Sequence, residues 1–274
     1  MRLTEGQAQR LGVEARTQVS PHLQRCCLIL SANESYEHAA IDLEILTGMR
    51  ISKSAQQRLV HRVSFADLTL HQTVEELSAD GGKVRLRTPT GEPSEWRDYK
   101  VITLHSFGLG ATFQNNSALT DWVNRQPLGM PLTCLGDGHP GIWNLIASLT
   151  AERREILDWY HLKENLYKIQ GSLNCLERVE SHLWKGHVDA AIAEFEGCTS
   201  TQVENFKVYL QTHRHRIPNY DYLKAEGVSI GSGAVESSIK QMGRRIKISG
   251  AQWKRENVPQ VLRHRAAYLN GLLA

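Results

Sequence analysis

The chain has no apolar run long enough to span a membrane, and its N-terminus lacks the apolar core of a signal peptide. These absences predict a cytoplasmic protein with no membrane partner. Cysteine is scarce and odd in number: Cys26, Cys27, Cys134, Cys175 and Cys198, with no C-x-x-C spacing. Neither a disulfide framework nor a cysteine zinc site is favoured, so reduced thiols packed as small apolar residues are expected. A net charge of only +3 gives no overall field to argue from. Internal repeats and low-complexity tracts are also missing. What remains is an ordinary globular composition, 41% hydrophobic over 274 residues, enough for one large domain or two small ones.

The distribution of charge says more than its sum. From Ser237 onward there are eight Lys/Arg against one Glu, so a basic C-terminal segment follows a slightly acidic body. That is the electrostatic footprint of a polyanion-binding surface. A merely solubilising tail would lack the interleaved Ile246, Ile248, Trp253, Val258, Val261, Leu262, Tyr268 and Leu269, which predict that the segment folds onto something. Just before it, Ile230-Gly-Ser-Gly-Ala-Val-Glu-Ser leads from glycines into a helix. On that helix Glu236, Lys240 and Arg244 fall at i, i+4 and i+8 and share a face. A solvated helix with an ordinary Glu–Lys pair would carry the same pattern, so the carboxylate needs partners before it implies chemistry.

Upstream, residues 1–30 give a weak helical pattern with a break at Pro21. A helix is predicted from Ser35 to Gly48 and a second after Ser52, with Lys53, Arg58 and Arg62 off its apolar side. The pair resembles a helix-turn-helix, although an ordinary helical hairpin reads the same way. Strands are then predicted at Leu77–Asp80, turning at Gly81-Gly82, at Lys83–Arg87 and at Tyr99–His105. A helix with Leu119, Trp122 and Val123 follows, then a strand over Pro131–Gly136. A helix around Gly141–Leu149, a strand at Glu155–Asp158 and a helix over His161–Ile169 complete the series. The order β-β-β-α-β-α-β, then a helical block and a final helix, matches the ribonuclease H-like fold. The expected architecture is α/β: a mixed five-stranded sheet with helices on both faces. Residues 71–165 and 228–274 would form it, with a helical insertion at 166–227 and a small helical region at 1–70.

In that topology the first and fourth strands are neighbours, which would bring Asp80 and Asp137 together at one sheet edge with Glu236 arriving from the final helix. Asp-Gly pairs usually just make turns; the coincidence of both strand ends with the glutamate favours a hard oxygen site for two Mg²⁺ or Mn²⁺ ions. Asp158, three residues before His161, is expected to cap a helix and hydrogen-bond the imidazole, bracing the sheet edge near the acids. Trp253 is assigned to core packing in preference to base stacking, and His213 and His215 to the surface or to DNA.

Leu77-Ser-Ala-Asp-Gly-Gly-Lys-Val-Arg-Leu-Arg87, Leu135-Gly-Asp-Gly-His-Pro-Gly-Ile-Trp-Asn144, Leu157-Asp-Trp-Tyr-His-Leu-Lys-Glu-Asn165 and Gly231-Ser-Gly-Ala-Val-Glu-Ser237 together resemble a bacterial insertion-sequence transposase of the DDE type. The likeness is to the ISKra group and, more distantly, to Mutator-like transposases. It implies that Asp80, Asp137 and Glu236 bind the metals, that Asp158 and His161 match a Cys/Asp-x-x-His element, and that the helical block is an insertion domain. The expected function is metal-dependent cleavage and strand transfer of double-stranded DNA, by a homodimer or larger assembly associated with the bacterial nucleoid. Lys240, Arg244, Arg245, Lys247, Lys254 and Arg255, with Lys53, Arg58 and Arg62, are the expected phosphate contacts. Two rivals use the same residues: a catalytically decayed DNA-binding remnant, and a nuclease of this fold that cuts without joining.

Overall fold

The computed structural model describes residues 4–10, 19–248 and 250–273. Helices α1 (Glu5–Arg10), α2 (Pro21–Asn33), α3 (Tyr36–Thr47) and α4 (Lys53–Arg62) precede the sheet. Pro21 begins α2 and does not break a helix: its fixed φ and missing N–H suit the first turn, and Ser20 caps it. Ser35 and Ser52 cap α3 and α4, and Gly48 closes α3 in the left-handed region at φ 68°. Leu23, Cys27 and Leu43 form a small core among α2, α3 and their neighbours.

The sheet comprises β1 (Val74–Leu86), β2 (Glu95–Leu104), β3 (Gly108–Phe113), β4 (Leu128–Gly136) and β5 (Arg153–Leu157), in the order β3-β2-β1-β4-β5. The strands β1, β2 and β3 are antiparallel, and β4 and β5 continue parallel to β1. Helix α5 (Asn116–Asn124) connects β3 to β4, and α6 (Pro140–Ala147) connects β4 to β5. This mixed five-stranded α/β sheet agrees with ribonuclease H-like topology.

The strand assignments need correcting in detail. Gly81-Gly82 is no turn: β1 runs straight through it, and Asp80 pairs with Val101 in mid-strand. The glycine is there for side-chain room, because a Cβ on Gly82 would meet the Tyr99 ring at 2.3 Å. The chain reverses later, across residues 87–94 with their Pro89, Gly91 and Pro93. Two predicted strands are therefore one, and the third strand is Gly108–Phe113, whose two glycines hide it from pattern reading. The element order survives because the two errors cancel.

After β5 come α7 (Trp159–Tyr167), α8 (Leu173–Trp184), α9 (Val188–Ala193), α10 (Thr201–Thr212) and α11 (Tyr220–Ala225). These share one continuous apolar core with the sheet, from Leu77 and Leu135 through Leu162 to Val179, Phe206 and Leu210. Each such aliphatic side chain contributes about 1.5–3 kcal/mol by its burial. On the opposite face α12 (Gly233–Ile246) and α13 (Val258–Leu269) cover Val84, Tyr99, Val101 and Leu109. The basic C-terminal segment thus folds onto the sheet, as its apolar residues require. Among the described residues, no helix is long and apolar enough to cross a membrane, and Cys27 and Cys134 are buried free thiols while Cys198 is exposed.

Candidate active site

Three parallel strands come into register at one level of the sheet, where β4 and β5 end and β1 continues toward Leu86. Ala79 of β1 pairs with Gly136 of β4, and Gly136 pairs with Leu157 of β5. The next residue on each strand is an aspartate: Asp80, Asp137 and Asp158. The carboxyl edge of parallel strands is where such sheets bind ligands. Asp80 meets the sheet's α12 face, where Glu236 sits in the first helical turn, favourably placed at the positive end of the helix dipole.

The acids interact. Burial pushes the Asp80 carboxyl up, the Gly81 N–H bond at 2.6 Å opposes this, and the charges of Asp137 and Glu236 raise it further. Asp137 accepts the His139 N–H at 2.9 Å, which fixes the turn into α6. Gly138 then lies under α10: a Cβ there would meet the Tyr209 ring at 2.3 Å. His213, one turn further on, also packs against this loop. It is 4% exposed, so it is neither on the surface nor facing DNA, contrary to the expectation for the His213/His215 pair. His215 is exposed.

Asp158 fastens two helix starts together. Its Oδ1 accepts the His161 N–H at 2.8 Å and so caps α7. Its Oδ2 accepts the Ser232 N–H and, at 2.5 Å, the Ser232 hydroxyl, immediately before α12. Burial alone would raise this carboxyl, but the hydrogen bonds from His161 and Ser232 outweigh it and hold it below the usual range. The expected helix cap is present; the expected hydrogen bond to the imidazole is not closed, and the link to Ser232 was not foreseen. Only the Ser-Gly stretch before Glu236 hinted at it.

His161 lies among these acids. Its Nδ1 is 3.4 Å from Asp158 Oδ1, an ion pair whose angle does not complete a hydrogen bond. That contact, opposed by burial and reinforced by Glu236 and Asp137, pushes the imidazole up to about 9. It is a cation at neutral pH, drawn into a cluster of negative charge.

Asp158, His161 and Glu236 each place one ligand atom within 4.8 Å of the others, alone among the described residues in doing so. The Asp80, Asp137 and Glu236 carboxylates are in electrostatic reach of one another without being drawn that close. Asp158 is nevertheless a poor ligand, because its side chain is fully buried and both oxygens already accept hydrogen bonds. Asp80, Asp137 and Glu236 are each half-buried and form an all-oxygen donor set whose mutual repulsion a divalent cation would relieve. The residues fit a hard ion.

The predicted phosphate contacts fare unevenly. Lys240, Arg244 and Lys247 are exposed on α12, with Lys240 3.7 Å from Glu236. Lys254 is exposed beside Glu256, and Arg255 is engaged by Glu95 and Gln114, both at 2.7 Å. Lys53 pairs with Glu37 at 3.3 Å, while Arg58 and Arg62 are exposed on α4. Arg245 is a correction. It is 2% exposed, donates from Nε to the Ser31 carbonyl at 2.7 Å, and lies between the rings of Tyr36 and Trp253. One position after Arg244, it points to the opposite side of α12, into the seam with α2 and α3. Trp253 is buried, with its indole N–H on the Ile246 carbonyl, which bears out core packing.

No protein-family model matches this sequence, and no curated protein matches it either.

Proposed function

We propose that this chain is a divalent-metal-dependent enzyme that cleaves DNA strands and joins them to a target, with Asp80, Asp137 and Glu236 as its metal-binding acids. The observation that supports the reading is the register of β1 and β4: Asp80 and Asp137 directly follow the paired Ala79 and Gly136, and Glu236 arrives from α12 on the Asp80 side. Divalent ions held there would supply Lewis-acid activation of the attacking oxygen and charge stabilisation of the leaving oxygen.

The remaining steps belong to the protein. Asp158 fixes the starts of α7 and α12, and so sets the spacing between His161 and Glu236. The His161 imidazolium offsets part of the local negative charge, easing the approach of a phosphodiester to four carboxylates. Lys240, Arg244 and Lys247 extend cationic surface away from Glu236 along α12, in line for the DNA backbone. Hydrolysis forms a bond from the water oxygen to phosphorus and breaks the bond to the 3′ oxygen. The freed 3′-hydroxyl, used as the next nucleophile, performs the transfer by the same displacement at target DNA.

Asp137→Ala is the test. Strand cleavage in Mg²⁺ should fall by at least about 10³-fold, with duplex affinity within about threefold of the parent. Cleavage at the parental rate would end the assignment. Cleavage by the parent with no joined product under any target condition would reduce it to a nuclease.

A further inference from the structure

We infer that the seam between the N-terminal helices and the sheet holds a second anion site, a pocket for a phosphate group, away from the carboxylates. A cavity of about 280 Å³ opens there among α3, α4, the end of α12 and residues 251–257. Tyr36, Arg87, Arg245, Trp253 and Lys254 line it, and no carboxylate does.

The seam binds Arg245 incompletely. Its Nε is satisfied by Ser31, yet its Nη2 is buried without a hydrogen-bond partner among the described residues, and so is the Tyr36 hydroxyl. The guanidinium acts on the phenol by charge and at hydrogen-bond range, but not with the geometry that would satisfy either group. A buried guanidinium N–H left unmade is costly, and its natural complement is a charged acceptor. Two more cations stand on the same wall. Arg87 and Lys254 are held there by a local pairing in which Arg87 N–H donates to the Trp253 carbonyl at 2.8 Å and Trp253 N–H to the Arg85 carbonyl at 3.0 Å. Arg245 and Arg87, with Lys254 whose ammonium also has Glu256 at 3.9 Å, leave a cationic excess beside the hydroxyl donor that selects an anion with several acceptor oxygens.

Position favours a phosphate of the nucleic-acid strand. Arg87 and Lys254 also line a neighbouring cavity of about 790 Å³ with Arg85 and Arg255, where Glu92 and Glu256 stand as well, so cations continue outward from the pocket and exceed the acids there. Along α12, Arg245 lies nine residues beyond Glu236, about 13–14 Å at the helical rise. At about 100° per residue the two side chains leave opposite sides of α12, so a strand meets the pocket at Arg87 and Lys254 and not along the Glu236 face. This choice of source rests on the proposed function; free inorganic phosphate presents the same chemistry and does not.

Arg245 itself packs too much of the seam to be a clean probe, so the variants are Arg87→Gln and Tyr36→Phe in the full chain. Two quantities are read: the gain in Tm in sodium phosphate over sodium chloride at matched ionic strength, and affinity for a duplex of arbitrary sequence. Because phosphate also stabilises proteins generally by exclusion, the difference between parent and variant is what counts. Arg87→Gln should remove the phosphate-specific gain and weaken duplex binding about tenfold, and Tyr36→Phe about threefold. Duplex weakening with no phosphate-specific gain in the parent overturns the pocket, because loss of any surface arginine weakens duplex binding. A lost gain with unchanged duplex affinity keeps the pocket but overturns the strand as its ligand. Parental behaviour of both variants in both measurements overturns the site. Asp137→Ala cleaving normally would sink the carboxylate assignment alone, since phosphate binding here does not depend on it.

Discussion

Two histidines report on two regions built with opposite charge. His161, among Asp158, Glu236 and Asp137, is raised to about 9. His264 on α13 is fully buried in the seam below α2 and lowered to about 4, by burial first, against the pull of the Leu28 carbonyl, and then by the charges of Arg245, Arg265 and His61. The seam meets most of its buried charge with backbone and leaves Arg245 Nη2 open. Arg245 donates to Ser31, Arg265 to Ala32 and Gln241, and His264 contacts the Leu28 carbonyl at 2.9 Å. The acid edge leaves its charge problem standing, with three half-buried carboxylates and one imidazolium. Buried cations matched to carbonyls are architecture, and unmatched acids at a strand edge are readiness for a ligand. Helix α12 joins the two, with Glu236 at its start and Arg245 at its end.

The seam should break hardest. Arg245→Ala deletes two cation–π contacts and a charged hydrogen bond and leaves a cavity, so unfolding free energy should drop by about 3 kcal/mol. A denaturant midpoint unchanged from the parent would refute this account of how the N-terminal helices are held. The histidines come next, with opposite signs. His264 is neutral when folded but binds a proton when unfolded near the ordinary value of 6.5, so its contribution is intact above that pH and is lost as pH falls toward about 4. His161 is protonated when folded, so its contribution is intact below 6.5 and is lost as pH rises through about 9. His264→Gln should flatten the acid limb of the stability curve and His161→Gln the alkaline limb. If both variants shift the same limb, the contrast between the two regions is wrong.

The approach of the acids was legible in part because its signals are local: a glycine after Asp80 and Asp137 and a glutamate among basic residues. The strand order came out right only because a split first strand and a missed third strand offset each other. Even there the reason for Gly82 was misread, since the ring it accommodates belongs to Tyr99 on the next strand. The seam was not legible. Arg244 and Arg245 are indistinguishable as letters, and only the helical phase against α2 and α3 sends one outward and the other inward. His213 misled in the same way, because its burial depends on where α10 crosses the Asp137-Gly138 loop. Arg-rich patterns predict charge, and long-range packing decides whether that charge meets solvent.

The smallest expected effect separates the regions most sharply. Asp80→Asn removes one of three mutually repelling charges from a carboxyl already raised by burial. Without metal, the variant should be more stable than the parent by about 0.5–1 kcal/mol, the usual gain when strain kept for function is relieved. Adding Mg²⁺ or Mn²⁺ should reverse the order, because a ligand of the folded state stabilises only the chain that binds it. Thermal denaturation of both proteins, with metal and with chelator, reads this directly. The crossing needs both halves: a stability gain without metal shows that the acids repel, and its reversal shows that a cation is what they are held apart to receive. A destabilised variant in chelator would instead mean that Asp80 serves the fold through its bond to Gly81, and the acid edge would then be architecture like the seam.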